Sequence, residues 1–113
     1  MKTLFQLIFF TILVITLIGC SDEPPSFRVK NENANKVNVQ IKTVANTTNI
    51  NDVQPGTVKG YRDVPKGLVE ISAEIQNETN EPEGSFTAQD NKNYTIIILN
   101  SNPPAIRIDV TDK

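Results

Sequence analysis

The 113-residue sequence has no histidine, no tryptophan and a single cysteine, Cys20. Each absence closes off some chemistry. Without histidine, neither a Ser-His-Asp nor a Cys-His nucleophilic machine can be assembled, and zinc loses its usual nitrogen ligand. One cysteine excludes an intrachain disulfide. Aromatic residues make up 6% of the chain, too few to line a sugar-cleaving groove with stacking platforms. An excess of basic residues is also missing, with 11 Lys and Arg against 13 Asp and Glu and a formal charge of -2. Binding to a phosphate backbone needs a basic footprint, so nucleic acid is not expected as a partner. Nowhere does an apolar stripe of period 3.6 persist for three turns, so no helix is expected in the body of the chain.

What is present begins with an apolar run. Lys2 precedes a stretch from Leu4 to Ile18 interrupted only by Gln6, Thr11 and Thr16, and the stretch stops at Leu17-Ile18-Gly19-Cys20. A charged start, an apolar middle and a small residue at the end are the marks of a secretory signal peptide. The last four residues resemble the lipobox of bacterial lipoproteins. That resemblance implies cleavage between Gly19 and Cys20 and attachment of diacylglycerol to the Cys20 thiol. It divides the chain into a leader at 1–19, a lipidated and Pro-containing acidic tether at 20–26, and a domain at 27–113. An uncleaved membrane span is the competing reading, since about 20 apolar residues cross a bilayer. It leaves unexplained a lone cysteine where the run stops, followed at once by Ser21-Asp22-Glu23-Pro24-Pro25. The expected location is the cell envelope, held to the membrane by acyl chains. In a bacterium with two membranes, Ser21 after the cysteine favours the outer membrane or cell surface.

From Phe27 onward, apolar and polar residues alternate with period two, the pattern of half-buried strands. Phe27 and Val29 begin it. Val37, Val39 and Ile41 continue it, followed by Val69, Ile71, Ala73 and Ile75, and by Ile106, Ile108 and Val110. Tyr94 to Leu99 differs, because Ile96, Ile97, Ile98 and Leu99 are consecutive, which predicts a central strand covered on both faces. Pro55-Gly56 predicts a type II turn, Pro65-Lys66-Gly67 a tight hairpin, and Asp90-Asn91-Lys92-Asn93 a turn with left-handed geometry. Residues 31–35, 46–51 and 77–84 read as polar loops. The fold expected is all-β: a single immunoglobulin-like or transthyretin-like sandwich of about seven short antiparallel strands behind the leader.

Residues 53–67, which include Tyr61-Arg62-Asp63-Val64-Pro65-Lys66-Gly67, and the later Tyr94-Thr95 pair resemble an uncharacterised family of extracytoplasmic bacterial β-sandwich domains. The shared pattern is a hydrophobic strand, Gly, a Tyr-containing strand, then Val-Pro-x-Gly, and later a strand opening at Tyr-Thr. The family often carries His-Ala-Ser-Pro-Asp-Ala-Pro before its second strand. This chain has Asn31-Glu32-Asn33-Ala34-Asn35-Lys36 there. The resemblance implies a fold and a compartment but no reaction.

No catalytic residues, metal ligands or cofactor are expected. Glu78, Glu81 and Glu83 match no calcium-loop spacing and read as a solvated loop. Asp63 and Glu70 invite comparison with a glycosidase carboxylate pair, without any cleft to serve it. The function expected is therefore a non-enzymatic, membrane-anchored binding or scaffold module for an envelope protein or glycan. The alternative is a structural or stress-related lipoprotein with no specific ligand. The residues expected to meet a partner are Tyr61, Asn77, Glu78, Glu81 and Glu83, helped by exposed strand edges that offer backbone pairing.

Overall fold

The computed structural model describes residues 22–113. The leader, Gly19 and Cys20 lie outside the described residues. Among the described residues eight strands form: β1 (Ser26–Asn31), β2 (Val37–Lys42), β3 (Thr47–Val53), β4 (Arg62–Asp63), β5 (Gly67–Ile75), β6 (Glu83–Ala88), β7 (Lys92–Ile98) and β8 (Ile106–Asp112). They make two four-stranded sheets. Sheet A has the order β4-β1-β7-β8 and sheet B the order β3-β2-β5-β6. The chain is thus an all-β sandwich, with one strand more than the alternation suggests. One pair departs from the antiparallel expectation: β1 runs parallel to β7, from Ser26 opposite Asn93 to Asn31 opposite Ile98.

The core is built from the apolar halves of the alternating strands. Val29, Val37, Ile41, Val53, Val69, Ile96 and Ile98 are all fully buried between the sheets. Each such aliphatic side chain contributes about 1.5–3 kcal/mol. Phe86 stacks on buried Tyr94 with ring centroids 4.3 Å apart. The consecutive isoleucines of β7 behave as expected, since Ile97 on the outer side is only 2% exposed. It lies in register between Lys30 and Arg107, long side chains of the kind whose stems cover an apolar neighbour.

Several local expectations change. Residues 47–51 are not a loop but most of β3. The strand is hard to see because the pairing shifts between Val37 and Val39 and Asp52 adopts a left-handed φ of 57°. Ile50 and Val53 then both point inward although they are three residues apart, and the period-two pattern is lost. The Asp52 N–H is held by Asn38 Oδ1 at 2.8 Å. Val64-Pro65-Lys66-Gly67 is likewise not a hairpin. It carries the chain from β4 in sheet A to β5 in sheet B, a corner at which Gly67 has a φ of 119°. Pro55-Gly56 does form a type II turn, with Gly56 at φ 76° and the Thr57 N–H donating to the Gln54 carbonyl at 3.2 Å. Asn91, at φ 64°, takes the left-handed place expected of it.

Strand directions sort the connections into two ends. Residues 22–25, 43–46, 64–66, 89–91 and 113 share the base; residues 32–36, 54–57, 76–82 and 99–105 share the opposite end. The base holds the chain's entry firmly. The Glu23 N–H donates to Asn91 Oδ1 at 2.9 Å and Asn91 Nδ2 donates to Asp22 at 3.1 Å. The Val64 N–H donates to the Pro25 carbonyl at 2.9 Å, and Pro25 and Ser26 are buried. The expected tether is therefore short, because residues 22–26 already belong to the sandwich.

The opposite end is tied by two buried asparagines. Asn31 Nδ2 donates to the carbonyls of Asn35 and Val53, both at 2.9 Å, and its Oδ1 accepts the Asn33 N–H at 2.9 Å. Asn33 Nδ2 donates to the Leu99 carbonyl at 3.1 Å and its Oδ1 accepts the Asn35 N–H at 3.0 Å. Side-chain amides thus satisfy backbone groups that a loop-rich end would otherwise bury unpaired.

Candidate functional site

The wet halves of sheet B's strands converge on one face. Because β2 and β5 alternate strictly, the residues between their core positions all point away from sheet A. Register then lines them up across the sheet. Asn49 of β3 stands opposite Gln40 of β2, Gln40 opposite Ser72 of β5, and Ser72 opposite Glu83 of β6. A second row runs Thr47, Lys42, Glu70, Ser85. With strands about 4.8 Å apart, each four-residue row spans roughly 14 Å.

The rows line a shallow trough of about 510 Å³ walled by Gln40, Lys42, Glu70, Ser72, Glu83 and Ser85, with Leu68 at one end. An adjoining hollow of about 220 Å³ adds Asn38, Asn49, Asn51, Glu74 and Glu81. Gln40 and Ser72 line both. Gly84 sits at the trough margin, where a Cβ would lie 3.1 Å from Ile106 Cγ2. Its lack of a side chain lets β6 lie close over the start of β8.

The chemistry of this face is hydrogen bonding of both kinds. Amides and hydroxyls donate and accept, and carboxylates accept. Glu70, Glu74, Glu81 and Glu83 face one base, Lys42, so the surface is acidic. No aromatic ring lines it, because Phe86 is engaged with Tyr94 on the inner side. The face suits a ligand held by many polar contacts.

The residues singled out from the sequence separate into three places. Glu81 and Glu83 reach the trough face. Asn77 and Glu78 stay in the loop before β6, in a turn where Asn77 has a φ of 66° and the Glu78 N–H donates to the Ile75 carbonyl at 3.1 Å. Tyr61 lies beside sheet A, 45% exposed, with the Arg28 guanidinium 4.6 Å from its ring centroid. Tyr61 is therefore not brought together with the glutamates. Asp63 and Glu70 belong to different sheets. Among the described residues no group of three or more Asp, Glu, His or Cys is placed to hold a metal ion. Reading the sequence missed Gln40, Ser72 and Lys42. Their signal was present as the polar complement of two well-marked strands.

No family model and no curated protein matches the chain.

Proposed function

We propose that the chain is a membrane-anchored envelope lipoprotein whose sandwich is a non-enzymatic binding module, and that its ligand, a glycan or a polar protein surface, is held on the outer face of sheet B. The observation that carries the reading is the cross-sheet row Asn49, Gln40, Ser72, Glu83. The four strands of sheet B leave there a continuous polar strip on rigid backbone rather than on loops. The anchor rests on the lipobox resemblance that ends at Cys20, two residues before Asp22, which accepts a hydrogen bond from Asn91 at the base. Acyl chains on Cys20 would contribute about 0.8 kcal/mol per buried methylene.

Two experiments test the parts separately. Cys20→Ser is expected to accumulate as an uncleaved precursor without incorporated fatty acid, read by mass spectrometry of the N-terminal peptide. Mature-sized protein in that variant refutes the anchor. Purified full-length protein on an array of bacterial envelope glycans, and in cross-linking on intact cells, is expected to capture a ligand at least tenfold more weakly after Gln40→Ala with Glu83→Ala. Capture unchanged by that double substitution refutes the site. Absence of any capture favours a structural lipoprotein with no specific ligand.

A further inference from the structure

We infer that β8 is a self-association edge, and that two copies of the chain join antiparallel along it, centred on Ile108, to make one eight-stranded sheet. The inference is independent of the anchor and of the trough.

β8 closes one side of sheet A and, among the described residues, pairs only with β7. The Leu99 N–H donates to the Ala105 carbonyl and the Lys113 N–H to the Asn91 carbonyl. Residues 105 and 113 thus turn their backbone toward β7. Because antiparallel ladders alternate, so do Arg107, Asp109 and Thr111. The N–H and C=O groups of Ile106, Ile108, Val110 and Asp112 therefore point to the open side. This seven-residue edge has its apolar side unfinished, since Ile106 and Ile108 are only partly buried and Val110 is 53% exposed. Of the other three edges, β4 has two residues, β3 carries the Asp52 irregularity, and β6, with the sequence EGSFTA, holds Gly84 and has Phe86 as its one large apolar residue.

Register selects the partner. A second β8 must pair even residues with even residues for their free groups to bond. Centred on Ile108, Ile106 meets the partner's Val110, Ile108 meets the partner's Ile108, and Val110 meets the partner's Ile106. On the outer face, Arg107 then opposes the partner's Asp109 and Asp109 opposes the partner's Arg107. These side chains already pair within one strand at 3.1 Å and are about half exposed. Three hydrogen-bonded pairs supply about six backbone hydrogen bonds. Shifting the centre to Asp109 places Asp109 against its own copy, and shifting it to Arg107 does the same with Arg107. Only the Ile108 centre opposes unlike charges while matching aliphatic to aliphatic. The contact is isologous, so it closes at two copies.

The test uses the full chain, expressed with its leader in a bacterial host and solubilised in detergent. Two differently tagged variants, Arg107→Cys and Asp109→Cys, are co-expressed and mildly oxidised, with the chain carrying only Cys20 as control. Directly opposed residues lie about 4.5 Å apart, within disulfide reach. The expected product joins one chain of each kind and does not form from either variant alone. In sedimentation equilibrium Arg107→Asp is expected to weaken dimerisation about tenfold, by turning two attractive cross-strand pairs repulsive. The swap Arg107→Asp with Asp109→Arg is expected to restore it. Both positions are on the solvent side, so folding is preserved, as circular dichroism will show. A monomer at every attainable concentration, a mixed disulfide no more abundant than the self-linked ones, or indifference to the charge reversal overturns the inference.

Discussion

Replacing Asn31 by alanine tests whether the loop end of the sandwich is held by side-chain amides. The residue is completely buried. Its side chain makes three hydrogen bonds at 2.9 Å, two of them fully buried and one partly so. Truncation takes the acceptor from the buried Asn33 N–H and a side-chain donor from each of the Val53 and Asn35 carbonyls. A buried polar group left unpaired costs about 1–3 kcal/mol, and water entering the vacated space recovers part of it. The expected loss is about 3–5 kcal/mol. A domain of this size is stable by roughly 5–14 kcal/mol, so the variant approaches the edge of folding. Its Tm is expected to fall by roughly 15–30 °C. Asn33→Ala, which removes two bonds, is expected to lose about 1–3 kcal/mol. Asn31→Leu keeps the volume but not the bonds, and is expected to be no better than the alanine variant. Urea denaturation followed by circular dichroism measures all three. If Asn31→Ala costs less than about 1 kcal/mol, or Asn31→Leu matches the parent, the amides are not what ties this end together.

Other outcomes follow from single positions. Gly67→Ala forces a side chain into a φ of 119° with its Cβ 3.0 Å from Val44 Cγ1. A loss of about 1–3 kcal/mol is expected in urea denaturation, and adding Val44→Ala should recover only part of it, because the backbone strain remains. Tyr94→Phe removes an O–H that donates to the Thr87 carbonyl and accepts the Gln89 N–H. It is expected to cost about 1–2 kcal/mol while leaving the stack with Phe86 in place; an unchanged urea midpoint contradicts that. The Lys92 ammonium is held above its ordinary 10.5, first by its hydrogen bond to Asp112 and then by that carboxylate's charge. A raised pKa in the folded state stabilises fully below the unfolded value and is lost as pH rises through the folded one. The parent should therefore lose stability on the alkaline side more steeply than Lys92→Met, as urea midpoints across that pH range will register.

What the sequence made legible is what period two encodes. The inward halves of β2, β5, β7 and β8, and hence the two-layer core, could be read directly from Val37, Ile71, Ile96 and their neighbours. Three things could not. β3 was hidden because one extra residue at Asp52 broke the alternation that would have revealed Ile50 and Val53 as a pair. The parallel contact between β1 and β7 joins residues 67 apart, as for Arg28 and Thr95, and no local pattern announces so distant a neighbour. The trough depends on register across three ladders. The polar residues of β2 and β5 were visible as wet faces, but nothing local says that Gln40 lies level with Ser72 and Glu83. Asn31 misled for a chemical reason: an amide that ends a strand looks like a loop residue until its partners, the carbonyls of Asn35 and Val53, are known.

The parallel union of the first strand with the seventh sets a timetable. A ribosome adding about 5–20 residues per second needs roughly 3–13 s to deliver residue 93 after residue 26. Throughout that interval the opening segment has no seat beside its principal neighbour, and the inner isoleucines of the other layer lack the seventh and eighth strands to lie against. Completion of that layer is thereby deferred until the seventh strand has been made. Under the export that the proposed leader implies, through a channel that accepts only threadlike cargo, the wiring diagram itself keeps the cargo pliable.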